Sequence, residues 1–113
     1  MARSATTADV FNAVAEAGRR DLLDAIGAGE ATVTDLVGRL GMSQPRVSKH
    51  LGVLRAVDLV QVRADGRRRW YRVNGPALRP VYDWVRTFER AWNTRLDQLD
   101  DLLAGLQDQE QQP

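Results

Sequence analysis

Cysteine is absent from the 113 residues, which excludes disulfides, thiol redox sensing and cysteinate metal sites. Histidine is nearly as scarce, His50 being the single one. There is also no glycine-rich phosphate loop and no acid/base pair that the pattern brings into a cleft, so an enzyme is the least favoured class. No apolar run approaches the ~20 residues of a membrane span. Nothing near Met1 reads as a signal peptide, and a cytoplasmic protein is expected. Internal repeats are missing, and the one low-complexity piece, Gln107 to Pro113, reads as a disordered tail. At this length the chain is one domain, with a single core and little room for an elaborate cleft.

Net charge is almost absent as well, at +1, but the charges are segregated. From Ser43 to Arg72 eight Lys/Arg face only Asp58 and Asp65, whereas from Asp83 onward three Arg face seven acids. A basic centre beside an acidic tail favours a polyanionic partner for the middle.

The stretch Ser43 to Arg55 carries the most information. Val47, Leu51 and Leu54 recur at helical spacing, and Arg46, Lys49, His50 and Arg55 are expected on a wet, cationic opposite side. Ser43 suits an N-cap, and Gln44-Pro45 suits a first turn, where a missing backbone N–H costs nothing. Gln44, Arg46 and Ser48 are then short or forked hydrogen-bonding groups of the kind that touch base edges in a major groove. On this helix alone, the solvated side of an ordinary bundle helix is an equally good reading.

Upstream, residues 1–6 read as a flexible arm. Thr7 opens an amphipathic helix containing Val10, Phe11, Val14 and Ala15, which Ala17-Gly18 interrupts. Leu22, Leu23 and Ile26 give a second helix ending at Gly27 or Gly29. Arg19 and Arg20 lie at its start, where the dipole disfavours them, so a partner or an acidic neighbour is expected for them. Thr34-Asp35 is expected to cap a third helix (Leu36, Val37, Leu40), and Gly41-Met42 separates it from the Ser43 helix. Two short helices around a glycine-containing turn have the form of a helix-turn-helix, with recognition by the second.

Downstream the period changes to two. Leu59 to Ala64 and Arg67 to Val73 flank Asp65-Gly66, a strong hairpin signal. The result is a basic ribbon with Arg67 and Arg68 at its tip, placed to meet phosphates or a minor groove. Asn74-Gly75-Pro76 leads to a single turn and a fresh helix near Pro80. From there Val85, Phe88, Trp92, Leu96 and Leu99 recur by three and four, with further Leu to Leu106. So broad an apolar face predicts a homodimer through this helix and the first, with Val10, Phe11 and Val14 contributing. The same helix folded back on its own core is the alternative.

Taken together, the elements from about Val10 to Leu106 resemble the ArsR/SmtB family of bacterial winged-helix repressors. The specific segments are Met42 to Arg55, Leu59-Val60 and Asp65 to Tyr71. The resemblance implies a mainly α fold with a β-hairpin wing, a winged helix-turn-helix spanning residues 7–106. It also implies that Ser43, Gln44, Arg46, Ser48, Lys49 and His50 face double-stranded DNA, with Arg67 and Arg68 on the wing. Metal-sensing members carry cysteines near the third helix, or His and carboxylates on the last. Here Thr32 and Thr34 occupy the former region, and the last helix has carboxylates but no histidine, which is similar to the metal-independent branch. No metal and no cofactor are therefore expected. The leading function is a homodimeric, autoregulatory repressor. A repressor responding to a small apolar effector beside Trp84, Phe88 and Trp92 is the nearest alternative, and a winged-helix module for an acidic protein partner is another. RNA is disfavoured because an A-form major groove does not admit a helix.

Overall fold

The computed structural model describes residues 9–111, and side chains through residue 108. The arm of residues 1–6, the start at Thr7 and the end of the tail at residues 112–113 lie outside the described residues. In order, the elements are α1 (Val10–Ala15), α2 (Ala17–Ile26), β1 (Glu30–Ala31), α3 (Val33–Leu40), α4 (Gln44–Ala56), β2 (Val60–Asp65), β3 (Arg68–Val73), a 3-10 turn (Gly75–Leu78) and α5 (Arg79–Gln111). A compact unit ends at Val81, and a second unit begins at Tyr82.

Local chemistry explains most of the boundaries. The Asp9 carboxylate caps α1 by accepting from the Asn12 N–H at 2.7 Å. The helix breaks at Glu16, whose backbone is extended, so Ala17-Gly18 begins α2 and does not interrupt it. Arg19 and Arg20 have a local use at that corner. Arg19 donates to the carbonyls of Ala13 and Asn12 at 2.6 and 3.0 Å, and Arg20 to those of Val14 and Ala15 at 2.7 and 3.0 Å. They satisfy the carbonyls that the end of α1 leaves without helical partners.

The cap of α3 is Thr32, two residues before the expected Thr34-Asp35. Its hydroxyl accepts from the Asp35 N–H at 3.1 Å, and the Asp35 carboxylate accepts from the Thr32 N–H at 3.0 Å. This reciprocal pair is a capping box. Gly41, at φ 67°, ψ 17°, ends α3 with its N–H on the Val37 carbonyl at 2.9 Å. That left-handed conformation is cheap only for glycine. Ser43 then caps α4, with Pro45 in the first turn.

The sheet has strand order β1-β3-β2 and is antiparallel throughout. β1 is a third strand that the hairpin reading omits: Glu30 pairs with Arg72 and Ala31 with Tyr71. Gly66, at φ 63°, and Arg67 form the two-residue connection between β2 and β3, glycine at the first position being what a II′ turn requires. Alternation sends Val60, Val62, Tyr71 and Ala31 inward. They close a core with Leu22, Leu36, Val47, Leu51, Leu54 and Leu59. Asn74 ties the end of the sheet to the end of α4. Its N–H donates to the Leu59 carbonyl at 2.8 Å and its side-chain amide to the Asp58 carbonyl at 2.9 Å.

Taken by itself, α5 is a single helix of 33 residues, about 50 Å long at 1.5 Å per residue. Helix continues through Gln111, into the glutamine-rich tail. Trp84 and Phe88 stack edge to face with centroids 5.2 Å apart. Val85, Phe88, Trp92, Leu96 and Leu99 are all exposed, Phe88 and Trp92 by more than half.

Candidate nucleic-acid interface

Helix α4 buries Val47, His50, Leu51 and Leu54, the i, i+3, i+4, i+7 pattern of one core-facing stripe. Gln44, Arg46, Ser48 and Lys49 are exposed, as is Ser43 at the cap. Hydrogen-bonding and cationic groups are thus gathered at the N-terminal end of this helix, with Arg55 exposed near its other end. The scaffold behind them is rigid, because Val47 and Leu54 are fully buried.

His50 departs from the expectation. It is 5% exposed, not on the wet face, because a residue three after Val47 and four before Leu54 must fall on their side of the helix. Its neighbours are at the start of α2. Nε2 lies 3.8 Å from Oε1 of Glu16, and a Cβ on Gly18 would come within 3.0 Å of Nε2 and 3.4 Å of the Arg46 guanidinium. Burial, the largest influence, holds the imidazole below its usual pKa. Glu16 pulls the other way, while Arg19, Arg46 and Lys49 add to the depression.

Arg67 and Arg68 stand exposed at the wing tip, followed by exposed Arg69. Arg63, which belongs to the same basic run in sequence, is otherwise engaged. Its Nε and Nη2 donate to the two carboxylate oxygens of Glu30 at 2.7 and 2.9 Å, linking β2 to β1 across β3. Its guanidinium also sits 5.7 Å from the centre of the Trp70 ring. Those hydrogen bonds hold the Glu30 carboxyl below its ordinary range and raise the Arg63 value. Arg63 therefore belongs to the sheet's own architecture, which the sequence conceals because Glu30 is 33 residues away.

The residues of the first helix expected at a subunit interface differ in exposure, and Val10 faces inward. It is 8% exposed and part of the core, which leaves it little area to bury elsewhere. Val14 packs partly against the same core, and Phe11 is 39% exposed. Among the described residues no three His, Asp or Glu side chains gather as a metal site, and no helix is long and apolar enough to cross a membrane.

Comparison with known proteins agrees with this geometry. Residues 16–62 match the model for bacterial regulatory proteins of the arsR family. The transcriptional repressor SdpR of Bacillus subtilis (strain 168) is 28% identical over 80 residues, covering 71% of this chain and 89% of SdpR. A probable mercury resistance operon repressor of Streptomyces lividans is 44% identical over 73 residues, covering 65% of this chain and 58% of that protein. The crystal structure of a possible transcriptional regulator for arsenical resistance superposes with a TM-score of 0.61 at 36% identity, covering 67% of this chain and 79% of that one.

Proposed function

Because this chain belongs to the arsR family of bacterial regulatory proteins, we propose that it is a homodimeric repressor acting on an inverted-repeat operator, including its own, without sensing a metal. The observation that carries this reading is the pairing of two exposed basic surfaces on one rigid unit. Gln44, Arg46, Ser48 and Lys49 lie on the outer side of α4, and Arg67 and Arg68 lie at the wing tip. Arg and Gln offer the paired hydrogen bonds that read guanine and adenine edges in a major groove, and wing arginines supply sequence-independent phosphate contacts.

The dimer is supported by α5, which by itself leaves a long apolar stripe uncovered, Val85 to Leu99 included; monomeric proteins seldom expose patches of that extent. Two-fold symmetry then sets the operator half-sites one helical turn apart, ~34–36 Å. Independence from metal is supported by the absence of cysteine and by the burial of the one imidazole beneath α4.

The test is fluorescence anisotropy on the DNA upstream of its own coding sequence against scrambled DNA, over several salt concentrations, with and without chelator. If each subunit neutralises about four phosphates, the dimer neutralises about eight and the slope of log K against log salt is roughly −7. Selective binding, a steep slope and indifference to chelator are expected. Arg46→Ala should flatten the ranking of operator variants; an unchanged ranking removes Arg46 from base reading. Selectivity appearing only with added metal overturns the metal-independent reading.

A further inference from the structure

His50 is left over once the exposed face of α4 is assigned to DNA. It is the only histidine in the chain, and the only side chain whose ordinary pKa, about 6.5, falls between pH 5 and 8. Its ring is wedged between α4 and the first turn of α2. The approach is close: a Cβ on Gly18 would stand 3.0 Å from Nε2, so the ring would have to give by a few tenths of an ångström. Neither ring nitrogen has a hydrogen-bond partner among the described residues. A satisfied core histidine would have one, because a buried polar nitrogen without a partner costs stability.

We propose that His50 is the positioning residue that seats the recognition helix on α2, and that its protonation unseats the helix and weakens DNA binding at acid pH. This rests on α4 being the recognition helix. The charges around the ring determine the direction. α2 presents Arg19, and α4 presents Arg46 and Lys49 from the turn that precedes His50. α1, Val-Phe-Asn-Ala-Val-Ala, presents no ionisable side chain. The one opposing charge is Glu16, and it is half exposed and already bonded to Arg19 at 2.7 Å. An imidazolium formed here is short of water, faces three cations, and shares its single carboxylate with one of them. Arg46, whose guanidinium lies over Gly18 beside the ring, is coupled to the same seat.

The linkage sign follows from the depressed pKa in the folded state. The seat is fully stable above about pH 6.5, where the ring is neutral folded or unfolded, and it loses stability as pH falls from there toward the lowered folded value. Two measurements on the full chain test this without identifying the operator. First, the His50 ring resonance is titrated by NMR and the thermal midpoint followed from pH 7.5 to 5.5, for the wild type and for His50→Gln and His50→Leu. A midpoint of titration below 6.5, with a wild-type Tm decline on acidification that both variants lose, is expected. Second, anisotropy on the upstream DNA over the same range should show a several-fold rise in Kd for the wild type and a flat profile for whichever variant folds. A ring that titrates at or above 6.5, or a wild-type decline shared by the variants, overturns the proposal even if DNA binding is tight. DNA binding absent at every pH, with the NMR and Tm results as expected, would instead fault the assignment of α4 to DNA and leave the proton-sensitive seat standing.

Discussion

Replacing glycine by alanine inside a helix normally stabilises, by about 0.5–1 kcal/mol, because alanine loses less backbone entropy on folding. Gly18→Ala should do the reverse. The added methyl meets His50 Nε2 at 3.0 Å and the Arg46 guanidinium at 3.4 Å, so the ring must give by a few tenths of an ångström, and His50 is buried on the same side of α4 as Val47, Leu51 and Leu54. Overpacking of this sort costs about 1–3 kcal/mol. The gain in helix preference is reduced in a first turn, so a net loss of about 1–2 kcal/mol remains. Gly52→Ala provides the control: it sits inside α4 with nothing within 4 Å of where its methyl would stand, and should gain about 0.5–1 kcal/mol. Urea unfolding of both variants, at one protein concentration because the proposed dimer would add a concentration-dependent contribution to stability, reads the difference. Each kcal/mol also moves Tm by about 4 °C or more in a domain of this size. Equal stabilisation by the two substitutions would refute the tight α2–α4 contact.

Thr32→Ala removes the hydroxyl half of the α3 capping box and should cost about 1 kcal/mol in urea unfolding. Asp35 is held below the usual carboxylate range chiefly by the Thr32 backbone N–H. Its contribution is present above that range and lost as pH falls through the lowered value, so the Tm gap between wild type and Asp35→Asn should close on acidification from pH 7 to 2. Arg67→Ala should weaken binding to all DNA sequences alike and make the salt slope shallower by about 2 in a dimer, one contact per subunit; a change in sequence ranking would place it on a base instead. Trp92→Glu should shift the protein toward monomer in analytical ultracentrifugation, and an unchanged dimer would exclude that stretch of α5 from the interface.

How much the chain discloses in advance depends on the range of the interaction. Ser43, Gly41 and Pro80 mark boundaries by rules that act within a few residues, and each stands where those rules put it. The Asp65-Gly66 turn is shifted by one, to Gly66-Arg67, because Asp65 still pairs with Arg68. Thr34 competes with Thr32 because both are good caps, and only the reach of Asp35 back to residue 32 separates them. β1 is invisible in sequence: two residues, Glu30 and Ala31, show no periodicity, and their partners on β3 lie about forty residues on. His50 is legible but easily misassigned, since its chemistry suggests solvent while its angle, between Val47 and Leu54, dictates the core. Arg19 and Arg20 look misplaced at the start of α2 because their service is to the preceding helix.

The corner between α1 and α2 also bears on the order in which the molecule assembles. Its arginine–carbonyl bonds span only five to seven residues, whereas the Arg63–Glu30 clasp spans 33 and the β1–β3 pairing more. Loop closure must come before such distant contacts return anything, and rates fall as contacts become less local. On this ground the first two helices are expected to nucleate locally and the three-stranded sheet to be completed late, an order that pulse-labelled amide exchange during refolding would check. Within the sheet the β2–β3 hairpin is itself local, closing across two residues, so the pairing of β1 with β3 is the closure expected last. The Arg63–Glu30 clasp, which links β2 to β1, forms with that last closure.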